Sequence, residues 1–197
     1  MATVGTLETV METARAVMAS LAISYEVDSG IKQDPEQIYC MAKNVYFEAR
    51  HESTLGKIAV AHVTMNRVNE DKWPNTVCKV VMDGPIRESW KTKKFPDLPK
   101  EKRKYYPIKN RCQFSWYCDG HRDMIWVTYK DGTVIPENMT AWRDSVTVAI
   151  MVMNDVWSID PTDGATFYYN PHIANPGWAG KYVETAVIGN HRFMICP

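Results

Sequence analysis

The residue best suited to chemistry in this sequence is Glu48, in the stretch NVYFEARHES at residues 44–53. Apolar residues before it recur at helical spacing, and Glu48 lies one step to the side of their arc. A carboxylate at the rim of an apolar stripe is partly desolvated, which raises its pKa. A carboxylic acid still protonated near neutral pH can act as a general acid. The residues also allow a second interpretation, in which Glu48 pairs with Arg50, Arg67 or another basic group and only solvates the helix end.

The elements that must position Glu48 are two consecutive helices. Asp34 is the predicted N-cap of the first, and Pro35 lies in its first turn, so we predict a helix over about residues 35–51. Ser53 or Thr54 is predicted to cap a second helix, which runs to about Asn69.

The rest of the chain predicts an α+β fold. A separate helix is predicted over residues 1–30, and a long helix over about residues 139–157. Asp131-Gly132 predicts a hairpin, and a second hairpin is predicted with strands at about 182–188 and 191–195. Helices come first and short strands last, which is the α+β pattern.

Length, charge and hydropathy limit the classes of function that this chain can have. The 197 residues suffice for one domain with a sizeable core, and 23 basic residues balance 23 acidic ones. A net charge of zero gives no overall attraction to nucleic acid or acidic membranes. No segment approaches the roughly 18 apolar residues of a membrane span. The apolar run 16–23 lacks the basic start of a secretory signal, so we expect no signal peptide.

Five cysteines are present, and their spacing matches no regular disulfide framework: Cys40, Cys78, Cys112, Cys118 and Cys196. An odd number leaves at least one unpaired within the chain. We expect reduced, buried thiols, as in a protein made in the cytosol.

Residues 83–110 differ from the rest in composition. Between 91 and 104, seven basic residues face two acidic ones, a net charge of +5. Four prolines in the segment argue against regular structure, so we predict a loop or arm. It is either a solvated surface loop or a positively charged segment that binds an anionic polymer.

Six blocks of sequence carry a family resemblance. They occur in the order NVYFEARHES, GKIAVAHVTMNRV (56–68), PNTVCKVV (74–81), CQFSWYCDG (112–120), GATFYYN (164–170) and IGNHRF (188–193). Together they resemble the spore cortex-lytic enzyme type of cell wall hydrolase over about residues 36–195. Bacteria use members of this family on spore cortex, and bacteriophages carry versions as lysins.

The resemblance implies a compact, lysozyme-like α+β fold, with a helical lobe and a small antiparallel sheet, as a catalytic domain over residues 31–197. Residues 1–30 are then an accessory helix. The implied activity is lytic transglycosylation of the peptidoglycan glycan strand between N-acetylmuramic acid and N-acetylglucosamine. Glu48 matches the family's catalytic acid, and the product carries a 1,6-anhydro-muramic end. We expect no cofactor or metal, a monomer, and no nucleic-acid partner or membrane insertion.

Other residues in these blocks are predicted to line the substrate groove: Glu52, Gln113, Ser115, Trp116, Tyr168, Tyr169 and Asn170. Amides hydrogen-bond acetamido and hydroxyl groups, and Trp116 or Trp178 offers a face to a sugar, although core packing is an equal alternative. A transglycosylase needs a single carboxylate, because the attacking hydroxyl belongs to the substrate. Should a second be required, Glu52, Asp119 and Asp163 are the candidates.

The sequence also departs from the family pattern. Phe167 stands where the family often has His, and the segments 83–110 and 121–137 are longer than usual. Spore-specific members usually carry a signal peptide and often a wall-binding domain. A catalytic domain with neither fits a phage lysin that is made in the host cytoplasm and acts at the bacterial cell wall.

Three alternatives remain open from the sequence. The first is a hydrolytic lysozyme that uses Glu48 with a second carboxylate. The second is a zinc amidase with four neighbouring ligands, Cys112, Cys118, Asp119 and His121, although their spacing is unfamiliar. The third is a glycan-binding or virion structural protein without catalytic activity.

Overall fold

A computed structural model describes residues 34–197, so the predicted helix over residues 1–30 lies outside the described residues. The helices are α1 (Pro35–Ala49), α2 (Thr54–Val68), α3 (Val77–Val81), α4 (Trp90–Lys93) and α5 (Met139–Met153). The strands are β1 (Ile86–Glu88), β2 (Tyr105–Pro107), β3 (Trp126–Thr128), β4 (Val134–Pro136), β5 (Phe167–Tyr169), β6 (Val183–Ile188) and β7 (His191–Ile195). No helix in this part of the chain is long and apolar enough to cross a membrane.

The predicted helix starts are confirmed by their caps. The side chain of Asp34 accepts a hydrogen bond from the backbone N–H of Glu36 at 2.9 Å, and Ser53 accepts one from that of Gly56 at 3.2 Å. Two predicted ends are too late. Helix α1 ends at Ala49, and α5 ends at Met153, shortly before a left-handed residue, Asp155, with φ of 57°.

The core lies where α1, α2 and α5 pack together, with α3 against the first two. At its centre the fully buried indole of Trp142 meets the rings of Tyr46 and Tyr39 edge-on, at centroid distances of 6.0 and 5.8 Å. Such edge-to-face contacts stabilise the helices beyond the area they bury. This packing fixes the direction of α1, the helix that carries Glu48.

Three small antiparallel sheets complete an α+β fold. Strands β1 and β2 pair, β3 and β4 pair across the predicted Asp131-Gly132 turn, and β7 lies between β5 and β6. The turn between β6 and β7 falls at Gly189-Asn190, as predicted. The third sheet presents β5 to the end of α1, because Tyr168 on β5 contacts Glu48.

The prediction that residues 83–110 lack regular structure is wrong in part. The segment contains the β1–β2 ladder, with α4 and a 3-10 turn between its strands. The prolines are compatible with this order because they occupy positions that need no ladder N–H, such as Pro107 at the end of β2.

The expectation of reduced thiols is also corrected. Cys40 is bonded to Cys78, and Cys112 to Cys118, which leaves Cys196 free and exposed. Spacing along the chain gave no signal because the first bond joins α1 to α3, whose packing brings two distant Cα atoms to 5.2 Å.

Replacing Cys40 and Cys78 together with alanine is expected to lower the free energy of unfolding by about 2–4 kcal/mol, because the bond restricts the unfolded chain. Urea unfolding under non-reducing conditions measures the loss. Cys196→Ala, at the free cysteine, is the control and should leave the midpoint unchanged. Equal midpoints for the double variant and the wild type would contradict the expectation.

Candidate functional site

Glu48 lies in the last turn of α1, with its side chain partly buried. The phenol of Tyr168, on β5, donates a hydrogen bond to Oε2 of Glu48 at 2.8 Å. The two residues are 120 positions apart in sequence, so the contact joins the helical lobe to the third sheet. It also leaves the other carboxyl oxygen, Oε1, without this donor.

The surroundings of Glu48 raise its pKa above the ordinary value of a glutamate. Burial is the largest cause, because it penalises the charged form. The hydrogen bond from Tyr168, the positive charge of Arg67 and the backbone N–H of Ser115 act in the opposite direction but do not outweigh burial. The site therefore favours a protonated carboxyl while retaining three groups that stabilise its anion.

Tyr168 remains a hydrogen-bond donor throughout the ordinary pH range. Burial raises the pKa of its phenol well above the usual value, and the charge and hydrogen bond of Glu48 raise it further. The ring is held edge-on by His191 at a centroid distance of 5.2 Å and packs against Phe193 at 5.7 Å. Both residues lie on β7, so the sheet fixes the position of the phenol.

Arg67 supplies a buried positive charge near the site. Its Nε donates to the carbonyl oxygen of Thr166 at 2.7 Å, and its guanidinium lies 4.5 Å from the ring centroid of Trp73. The positive charge of Arg67 lowers the pKa of Glu48. However, no ion pair within 4.0 Å among residues 34–197 includes Glu48. The alternative interpretation of Glu48 as a helix-end ion pair is therefore wrong.

Trp116 holds the segment that follows Gln113 against α1. Its indole N–H donates to Oδ1 of Asn44 at 2.9 Å, and its ring stacks on Phe47 at 4.8 Å. Only 6% of its surface is exposed. The prediction that Trp116 offers a face to a sugar is thus corrected, because its indole belongs to the core. Asn44, in the same block as Glu48, is a positioning residue that no pattern in the sequence indicated.

Four of the other predicted groove residues lie on the two segments that contact Glu48, the one around Ser115 and the end of β5. Gln113 and Ser115 are exposed, and the Ser115 backbone amide acts on the carboxyl of Glu48. Tyr169 and Asn170 are partly exposed at the end of β5, where Oδ1 of Asn170 accepts the backbone N–H of His172 at 2.9 Å. The structure thus brings Ser115 and Tyr168 to Glu48 and places Tyr169 and Asn170 next along the strand.

Glu52 is bound to the turn between β6 and β7. Its carboxylate accepts hydrogen bonds from Nδ2 of Asn190 at 2.8 Å and from the backbone N–H of Asn190 at 3.3 Å. Gly189 has φ of 58°, and a Cβ there would overlap Oε2 of Glu52. The contact gives Glu52 a structural partner on the third sheet.

The structure also shows the partners and exposure of the other candidate carboxylates and of the candidate zinc ligands. Cys112 and Cys118 are joined to each other, so neither offers a thiolate to zinc. Asp119 accepts the backbone N–H of His121 at 2.7 Å, and Asp163 is exposed in a turn with φ of 53°. The predicted ligand set of the zinc alternative is therefore reduced to two residues.

Phe167, at the departure from the family pattern, belongs to an aromatic cluster. Its ring centroid lies 4.8 Å from that of Tyr182, 5.5 Å from that of Trp178 and 5.7 Å from that of Trp73. Trp178 in turn meets Tyr169 edge-on at 5.7 Å. An apolar ring at position 167 thus supports the strand that carries Tyr168.

The raised pKa of Glu48 predicts a pH-dependent effect on stability. A carboxyl whose pKa is higher in the folded state than in the unfolded state does not affect stability at pH values below both. As pH rises from the unfolded-state pKa to the folded-state pKa, the unfolded chain ionises more readily and the fold loses stability. Glu48→Gln is therefore expected to melt above the wild type at pH 7–8, with a difference that shrinks towards about pH 4. Thermal unfolding across this range measures it. A constant difference at all pH values would contradict a raised pKa.

Comparison with known proteins gives a consistent set of relatives. A family model described as Cell Wall Hydrolase matches residues 51–194, a range that begins after Glu48. The spore cortex-lytic enzyme of Halalkalibacterium halodurans is 28% identical over 175 residues, 89% of this chain and 39% of that protein. The spore cortex-lytic enzyme of Bacillus subtilis is 24% identical over 156 residues, 79% of this chain and 36% of that protein. The chain spans less than half the length of these curated relatives.

A solved structure resembles the fold. The catalytic domain of the germination-specific lytic transglycosylase SleB from Bacillus anthracis matches with a TM-score of 0.50 and 26% identity. The match covers 85% of this chain and 100% of that domain. The predicted α+β fold class is thereby confirmed.

Proposed function

This chain belongs to the cell wall hydrolase family, and from that premise we propose that it cleaves the glycan strand of peptidoglycan with Glu48 as acid and base. The observation that carries the proposal is the environment of Glu48, a partly buried carboxyl with a raised pKa and a fixed phenol donor. The relatives named as spore cortex-lytic enzymes and the similar domain named as a lytic transglycosylase support cleavage of peptidoglycan.

In the first step Glu48 acts as an acid. Tyr168 occupies Oε2, so the proton to be transferred is carried by Oε1. Glu48 gives it to the glycosidic oxygen as the bond from that oxygen to the anomeric carbon of the muramoyl sugar breaks. The leaving sugar departs as an alcohol, and Glu48 becomes a carboxylate.

In the second step the same residue acts as a base. The muramoyl 6-hydroxyl attacks the anomeric carbon, a new carbon–oxygen bond forms, and the hydroxyl proton returns to Glu48. Between the two steps the carboxylate is stabilised by Tyr168, by Arg67 and by the Ser115 amide. The product is a 1,6-anhydro-muramic end, and the enzyme is restored.

A single carboxylate suffices for this route, because the nucleophile belongs to the substrate. An ordinary glycosidase needs a second carboxylate about 5 Å away if retaining, or about 6.5–9.5 Å away if inverting. Glu52 is the nearest in sequence, and its hydrogen bonds to Asn190 engage it with the β6–β7 turn. The support for transglycosylation over hydrolysis is the similar solved domain, which is named as a lytic transglycosylase.

Substrate contacts are proposed for the exposed polar groups beside Glu48. The side chains of Gln113, Ser115 and Asn170 suit the acetamido and hydroxyl groups of the sugars, and Tyr169 borders the same strand end. Glu52 serves this groove indirectly in our proposal, because it holds the turn beside it.

Mass spectrometry of muropeptides released from purified peptidoglycan tests the proposal. We expect 1,6-anhydro-muropeptides as the main products. Reducing ends would instead indicate a hydrolytic lysozyme, and free stem peptides with intact glycan would indicate an amidase. Binding without any soluble fragments would indicate a non-catalytic protein.

We further propose that the protein serves as a phage lysin at the bacterial cell wall. The support is its resemblance to a family that includes phage lysins. The purified protein is then expected to clear suspensions of sensitive cells whose walls are accessible from outside. Detection of the protein inside mature virions would contradict this role.

A further inference from the structure

Residues 86–107 form an ordered projection, which we call the basic arm. Strands β1 and β2 form its stem, where the backbone N–H of Ser89 donates to the carbonyl oxygen of Lys104 at 2.7 Å. Arg103 links two parts of the arm. Its Nη1 donates to Oε1 of Glu88 at 2.8 Å, and its Nη2 donates to the carbonyl oxygen of Pro96 at 2.6 Å. These hydrogen bonds give the arm an ordered surface with a defined shape.

The outer surface of the basic arm carries an excess of positive charge over its two exposed carboxylates, Asp97 and Glu101. Its six lysines are all exposed: Lys91, Lys93, Lys94, Lys100, Lys102 and Lys104. Within residues 34–197, no ion pair shorter than 4.0 Å engages any of them, whereas Arg103 is paired internally with Glu88. The chain as a whole is neutral, so this is a local concentration of charge.

Exposed aromatic rings lie among these lysines. Trp90 is 63% exposed, and Phe95, Tyr105 and Tyr106 are exposed as well. The ammonium group of Lys94 lies 4.6 Å from the ring centroid of Trp90. Rings that lie open to solvent beside cations suit a partner with both apolar or sugar faces and negative charges.

The base of the basic arm adjoins the proposed catalytic site. The backbone N–H of Gln113 donates to the carbonyl oxygen of Asp83 at 3.0 Å, just before the arm begins. Two residues later, the backbone N–H of Ser115 lowers the pKa of the Glu48 carboxyl. The Cys112–Cys118 disulfide encloses this stretch. The arm therefore begins beside the segment that contacts Glu48, where a ligand that extends from the site along this segment can reach it.

We propose that the basic arm binds the carboxylates of the peptide stems on the peptidoglycan strand being cleaved. This rests on the proposed function, which places a glycan strand at Glu48. Each muramic acid of such a strand can carry a stem peptide with free carboxylates, and these stems project from the strand onto nearby surface. Lysine ammonium groups, compact and mobile, match scattered carboxylates rather than one fixed anion.

The test compares two triple variants with equal changes of charge. The arm variant replaces Lys93, Lys100 and Lys102 with glutamine. The control variant replaces exposed residues outside the arm, Lys79, Lys130 and Arg143, in the same way. Binding to insoluble peptidoglycan freed of phosphate polymers is measured at about 50 mM and about 300 mM salt, where screening differs strongly. The same substrate with its carboxylates converted to methylamides is the second ligand, and untreated wall is the third.

At low salt we expect the arm variant to bind the carboxylate-bearing peptidoglycan about three- to thirtyfold more weakly than the wild type. The control variant should bind like the wild type, and all three proteins should bind the amidated substrate equally. Equal binding of both variants to the carboxylate form would overturn the proposal. A difference seen only on untreated wall would overturn it in favour of a phosphate polymer. All three proteins also carry Glu48→Gln, so that binding is read without cleavage, and a failure of the proposed activity remains distinguishable from a failure of arm binding.

Discussion

Replacing Glu48 with glutamine is expected to lower the rate of peptidoglycan cleavage by about 10²–10⁴-fold, the usual contribution of general acid–base catalysis. Glutamine keeps the shape of the side chain, and its amide oxygen can still accept the hydrogen bond of Tyr168. It has no carboxyl proton to give to the leaving sugar and no carboxylate to take one back. Release of soluble fragments per unit time measures the loss.

The matched control for this variant is Glu36→Gln, on the same helix. Glu36 is exposed in the first turn of α1, far along the helix from the site, so its replacement should leave the rate unchanged. Circular dichroism should show folded protein for both variants. A folded Glu48→Gln protein with more than about a tenth of the wild-type rate would remove Glu48 from the chemistry.

Tyr168→Phe is expected to lower kcat by about 10- to 150-fold, corresponding to a lost hydrogen bond to a charged group of about 1.5–3 kcal/mol. The phenol stabilises the carboxylate of Glu48, so its removal raises the already raised pKa of Glu48 further. Glu48 must be protonated to start the reaction, and activity therefore falls as pH rises through that pKa. In the variant this fall should move to higher pH. A pH profile of kcat measures both effects.

The neighbouring substitution Tyr169→Phe provides the control for Tyr168. Its hydroxyl is the next phenol on β5, and no hydrogen bond joins it to Glu48 among the described residues. We expect the alkaline limb of its pH profile to coincide with that of the wild type. An unshifted limb in Tyr168→Phe would show that the phenol has no electrostatic role at Glu48.

Features set by neighbouring residues were predictable from the sequence. The caps at Asp34 and Ser53, the hairpin at Asp131-Gly132 and the turn at Gly189-Asn190 each depend on a few adjacent side chains. The position of Glu48 beside the apolar stripe of α1 followed from helical periodicity. The partial burial that raises its pKa was predictable for the same reason.

Features set by contacts across the fold were not predictable in this way. The hydrogen bonds from Tyr168 to Glu48 and from Asn190 to Glu52 join residues more than a hundred positions apart. The Cys40–Cys78 bond depends on the packing of α1 against α3, and the burial of Trp116 depends on Asn44 across the site. No local pattern encodes these pairings, so a sequence shows the residue types without showing their partners.

The order within the basic arm illustrates the same limit. Its prolines and lysines predict an irregular, solvated segment, but Arg103 reaches back to Glu88 and to the carbonyl oxygen of Pro96. One partly buried guanidinium can organise a segment whose other charges face water. The composition of the segment alone does not distinguish this arginine from its neighbours.

The most direct test of the proposed mechanism is digestion of purified peptidoglycan by the wild-type protein in water enriched in ¹⁸O. In transglycosylation the anomeric carbon of the muramoyl sugar bonds to the substrate's own 6-hydroxyl oxygen, so we predict 1,6-anhydro ends that contain no ¹⁸O. Hydrolysis would place one ¹⁸O atom at each new reducing end. Labelled reducing ends as the main product would contradict a single-carboxylate mechanism and would require a second carboxylate that positions water.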